Sequence, residues 1–82
     1  MNREVIDLCD AIDSLSKKVA EKLRSKGIDP LAVIPLRITK ETAYDINIVE
    51  IMSQWSVLAK KHPDIVEIKT IAQLLGKLLT IV

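Results

Sequence analysis

Residues 3–26 read REVIDLCDAIDSLSKKVAEKLRSK, and the spacing in this stretch decides the fold class. Val5, Leu8, Ile12, Leu15, Val19 and Leu23 recur at steps of three and four and form a single stripe along a helix. Arg3, Asp7, Asp10, Asp13, Lys17, Glu21 and Arg24 fall on the opposite side. No Gly or Pro interrupts the pattern before Gly27, which suits the residue just past a helix end. At about 1.5 Å per residue the helix is about 36 Å long.

Its charges are ordered along its length. Glu4, Asp7, Asp10 and Asp13 come first, and Lys17, Lys18, Lys22, Arg24 and Lys26 come last. That order places anions at the positive end of the helix dipole and cations at the negative end. It also suits an antiparallel neighbour of the same sequence.

Residues 28–39 differ, being apolar and carrying Pro30 and Pro35. Proline removes a backbone donor and biases its predecessor away from helix, so an extended linker over 28–38 is expected between the first two helices. Ile34, Leu36 and Ile38 alternate with Pro35, Arg37 and Thr39, which is also the period of a short strand.

Thr39 is a suitable cap for a second helix over residues 40–61. Tyr44, Ile48, Ile51, Met52, Trp55 and Leu58 mark one face, with Ile46, Val49 and Val57 on the reverse. A helix apolar on two sides is buried on two sides, which predicts a central element. His62-Pro63 ends it, and a third helix over residues 63–81 carries Ile65, Ile68, Ile71, Ala72, Leu75, Leu78 and Leu79. That stripe is broader than a three-helix monomer requires.

The chain has 82 residues, enough for one helical domain, and 49% of them are apolar. With a mean hydropathy of +0.24, so small a sphere has more apolar material than it can hide. The expected fold is therefore all-α, a three-helix chain forming a homodimeric helical bundle. Its interface is expected at Val5, Leu8, Ile12, Leu15, Val19 and Leu23, together with Ile46, Val49 and Val57.

Twelve Lys and Arg balance eleven Asp and Glu for a net charge of +1, without the basic excess of a dedicated nucleic-acid binder. One Trp, one Tyr and no Phe leave no aromatic platform for stacked bases. The single Cys9 forms no internal disulfide, which suits a reducing compartment. The opening residues do not read as a signal peptide, and no stretch approaches the length of an uncharged membrane span. A cytoplasmic location is expected. A terminal segment over 69–82 is amphipathic, but its two lysines and lack of an aromatic anchor disfavour a membrane surface.

Candidate chemistry is sparse. Glu4, Asp7, Asp10 and Asp13 step by three and spiral around the helix, so they do not converge on a metal without a second acidic helix. His62 has no obvious catalytic partner beyond Asp64, and Cys9 borders the apolar stripe as a small core residue. Gly27 and Gly76 are the only glycines, too few for a phosphate loop. Trp55 and Tyr44 sit on helical faces and read as core or interface. No cofactor and no enzymatic activity are expected.

Two segments resemble known families. His62-Pro63-Asp64, after a helix ending in Lys60 and Lys61, resembles the tripeptide of J-domain co-chaperones. The resemblance covers about twenty residues and implies stimulation of a heat-shock chaperone ATPase. Leu36-Arg37-Ile38-Thr39-Lys40-Glu41 resembles the strand-to-helix entry of ribbon-helix-helix DNA-binding proteins. That resemblance implies a strand over residues 33–39, with Arg37, Thr39 and Lys40 turned to the major groove. The favoured expectation remains a small non-enzymatic interaction or adaptor protein acting as a homodimer with a protein partner. Nucleic acid is the second choice.

Overall fold

The computed structural model describes residues 2–35, 38–39 and 41–82. Among them are four α-helices and no strand: α1 (Arg3–Ser25), α2 (Pro30–Val33), α3 (Ile48–Lys61) and α4 (Val66–Ile81). The long axis of the molecule, 38 Å against 19 Å in the other two directions, is close to the length of α1.

Local chemistry sets the ends of each helix. The Asn2 side chain accepts the Glu4 N–H at 2.8 Å and caps α1. At the other end, the Ile28 N–H donates to the Leu23 carbonyl and the Gly27 N–H to the Arg24 carbonyl, with Gly27 at φ +79°. This is a Schellman closure, and its left-handed residue is the reason a glycine stands there. Immediately after it, Asp29 accepts the Leu31 N–H and Pro30 occupies the first turn of α2. A one-turn helix thus stands inside the segment expected to be wholly extended.

The second long helix begins later than the apolar periodicity suggests. Residues 41–45 form successive turns, with the Thr42 N–H donating to the Thr39 carbonyl and the Asp45 N–H to that of Thr42. Asn47 then caps α3 by accepting the Glu50 N–H at 3.2 Å. An Asn followed three residues later by Glu is a strong start signal, and Ile46 and Ile51 hold the positions of a hydrophobic staple around it. The start expected at residue 40 yields to this stronger cap. Similarly, Pro63 and Asp64 form a turn in which the Ile65 N–H reaches the His62 carbonyl, and α4 starts at Val66 rather than at residue 63.

α4 packs against both α1 and α3 and is the central helix, a role the sequence pattern had suggested for the second long helix. Its side chains explain this. Ile68, Ile71, Leu75 and Leu78 are completely buried, and a stripe that broad covers two neighbours at once. Lys22 and Lys26 near the end of α1 meet Glu67 and Asp64 near the start of α4, so those two helices run antiparallel. Val5, Cys9, Ile12, Val19 and Leu23 close the core from the α1 side, and Ile48, Ile51, Trp55 and Leu58 from the α3 side. Fully burying side chains of this size is worth about 1.5–3 kcal/mol each before entropy is counted. Ile38 and Ala43 tuck the connection between α2 and α3 into the same core.

Candidate interaction surface

The residues expected at an oligomer interface separate sharply. Val5, Ile12, Val19 and Leu23 are buried within the single chain, and Leu8, Leu15 and Ile46 are half-buried against the same core. The α1 stripe thus closes the chain's own core. Val49 and Val57, by contrast, are 53% and 51% exposed. They lie two turns apart on α3 with exposed Ser53 midway, so the three form one row facing away from the core.

α2 extends this surface. Leu31 is 91% exposed and Val33 stands partly open beside it. Ala32 and Val33 face Gln54, Val57 and Lys61 of α3 across a shallow groove of about 240 Å³ that ends at His62. The one-turn helix between Asp29 and Ile34 is what turns Leu31 outward, and nothing in the apolar run of this segment marked it. The capping pattern Asp29-Pro30 was the available signal.

The turn between α3 and α4 carries the polar cluster of the fold. Lys26 Nζ lies 2.8 Å from both carboxylate oxygens of Asp64 and 3.4 Å from His62 Nδ1. Its hydrogen bond holds the Asp64 carboxyl below its ordinary value of 3.8. The tripeptide that resembles the J-domain signature is thus tied to the end of α1. His62 itself is half-buried.

The residues of the DNA-binding alternative are placed in part. Arg37 and Lys40 lie outside the described residues. Val33, the start of the expected strand, is helical, and Ile38 is buried. The Thr39 hydroxyl shares a 3.1 Å hydrogen bond with that of Thr42, inside a turn. The strand expected over residues 33–39 is accordingly not formed by its described members. The amphipathic stripe of residues 69–82 is covered, since Ile71, Leu75 and Leu78 sit in the core.

The acidic spiral on α1 is a solvated face with local pairing. Arg3 lies 3.3 Å from Asp7, and Lys17 lies 3.5 Å from Asp13. Among the described residues no group of three or more His, Cys, Asp or Glu side chains is placed to hold a metal ion, and no helix is long and apolar enough to cross a membrane. Cys9 is buried, and burial pushes its thiol up from the ordinary value of 9.0, helped by the charges of Asp10 and Glu41. Trp55 is buried in the core, while Tyr44 is exposed on the turn before α3. A small apolar cavity of about 70 Å³ lies between Ile12, Ile34, Ile38, Trp55 and Leu75, enough for a water or two but not for a substrate.

Comparison with protein-family models, with curated proteins and with solved structures finds no match to this chain.

Proposed function

We propose that this chain is a small non-enzymatic interaction protein that works as a homodimer, joined through the outer face of α3. The observation that carries this reading is the exposed row Val49, Ser53 and Val57 on a helix whose other face is fully committed to the core. Two copies of α3 crossing antiparallel at Ser53 set Val49 of each against Val57 of the other. The small serine at the crossing lets the two backbones approach. The same arrangement runs Glu50 at the start of one α3 along the flank that carries Lys61 at the end of the other, a pairing of opposite charge repeated by the two-fold axis.

The α3 row alone is too small for a stable dimer, which needs about 800 Å² from each partner. Leu31 and Val33 on the neighbouring α2 enlarge it with apolar surface of the kind that solvent disfavours. A symmetric pair of such patches is the usual way for a small helical chain to complete its burial.

A cysteine at the crossing tests the arrangement. Ser53→Cys is expected to form an interchain disulfide under mild oxidation, because the two-fold axis brings the same residue of each copy together. Ser14→Cys, on the exposed side of α1, is the control and is expected to stay reduced. Equal cross-linking at both positions contradicts the proposed geometry.

A further inference from the structure

We propose that the groove between α3 and α4 receives an acidic segment of a partner protein that inserts one apolar side chain. The inference rests on the interaction reading above and names the chemistry of the partner, but it uses a surface beside the dimer face.

The groove has a volume of about 370 Å³ and opens at the end of the molecule where α3 turns into α4. Ala59 and Ala72 are half-buried in its lining, and two such small residues facing each other are what leave the trough open. Ile65 is buried and supplies an apolar surface there. The space suits one leucine- or phenylalanine-sized anchor, the kind of side chain that dominates binding at a recognition pocket.

Charge defines the rest of the occupant. Lys60 from α3 and Lys69 from α4 also line the groove, and both are exposed. Among the described residues neither side chain has an ion-pair or hydrogen-bond partner. The acidic groups closest to them in sequence are already engaged: Asp64 by Lys26 and Glu67 by Lys22, both from α1. Lys77 adds positive charge to the exposed side of α4. An apolar trough rimmed by unneutralised ammonium groups favours carboxylates on both sides of the anchor and repels a basic segment. A nucleic-acid backbone would satisfy the lysines but leave the trough unfilled.

The test selects ligands from a displayed library of random dodecapeptides against the folded full chain. The expected result is enrichment of peptides with Asp or Glu on both sides of a Leu, Ile, Met or Phe. The synthetic consensus peptide should then shift the amide resonances of Ala59 and Ala72. Binding should weaken about tenfold or more in the double variant Lys60→Glu, Lys69→Glu, and should weaken with added salt. Both lysines are exposed, so the variant keeps its fold, which its circular dichroism and melting curve check directly. Ala72→Leu, which fills the trough without changing charge, should also abolish binding. Absence of enrichment, enrichment of uncharged or basic peptides, a footprint on Val49 and Val57 alone, or displacement of the bound peptide by duplex DNA overturns the proposal. Molar mass separates the two readings. A monomer that binds acidic peptides here loses the dimer and keeps the groove, whereas a dimer that binds none loses the groove and keeps the dimer.

Discussion

Lys22 on α1 holds both carboxylate oxygens of Glu67, 2.8 Å to each, across the join between the end of α1 and the first turn of α4. Glu67 is only 17% exposed at its side chain, and this hydrogen bond keeps its carboxyl below the ordinary value of 4.5. Lys26 does the same for Asp64 one turn further along. The two pairs fasten the helix that begins the chain to the helix that ends it.

Their pH dependence has a definite sign. A carboxyl whose folded value lies below its unfolded one contributes stability above the unfolded value and loses it as pH falls through the folded value. The melting temperature should therefore hold steady near neutrality and decline below about pH 4.5. Lys22→Met combined with Lys26→Met should flatten part of that acid-side decline. High salt should shrink the difference, most of all the share of the Lys26–Asp64 pair, whose carboxylate is the more exposed of the two. Identical acid slopes for the two proteins would show that the pairs contribute nothing.

The Schellman closure after α1 predicts a specific glycine cost. A Cβ built on Gly27 has no neighbour within 4 Å, so space is not the obstacle. The obstacle is the backbone angle of +79°, which an L-residue with a Cβ adopts only with strain. Gly27→Ala should cost about 1 kcal/mol in urea unfolding. Gly27→Asn should cost less, because asparagine tolerates the left-handed region. No change for the alanine variant would mean that α1 ends in another way.

How much of this was legible in the sequence depended on the length of each signal. The α1 stripe and the α4 stripe are long and regular, and both helices stand within a few residues of their expected bounds. The start of α3 was misplaced because apolar spacing over residues 40–47 continued the helical pattern. The Asn47–Glu50 cap that ends the ambiguity is a two-residue feature, easily overruled by a longer periodicity. Which stripe closes the monomer was not legible. That choice depends on α4 lying between α1 and α3, a long-range arrangement that the spacing of Val5, Ile12, Val19 and Leu23 does not encode. The outward row on α3 was half visible, since Val49 and Val57 fell on the reverse face, but Leu31 gave no sign of its exposure.

The central position of α4 predicts where the core is least forgiving. Leu75 is completely buried in it, whereas Leu79 on the same helix is exposed. Leu75→Ala should destabilise the chain by about 2–5 kcal/mol, and Leu79→Ala should lie within about 0.5 kcal/mol of the parent. Trp55 is buried against the same core, so its fluorescence reports both transitions. Equal effects at the two leucines would contradict the packing described.

Cys9 supplies a separate check on the core. Its thiol is buried and its ionisation is suppressed, so a thiol-reactive dye should label the folded protein slowly and the urea-unfolded protein at once. The rate in the folded state should rise in parallel with the destabilisation produced by Leu75→Ala. Rapid labelling of the native parent would place Cys9 outside the core.

The proposed homodimer is the central claim, and absolute molar mass by light scattering during gel filtration tests it most directly. Over a hundredfold range of concentration, the parent chain should give twice its 9.2 kDa mass, and Val49→Asp combined with Val57→Asp should return it to a folded monomer. A parent mass of 9.2 kDa at every concentration, or a double variant that remains dimeric, would contradict the account.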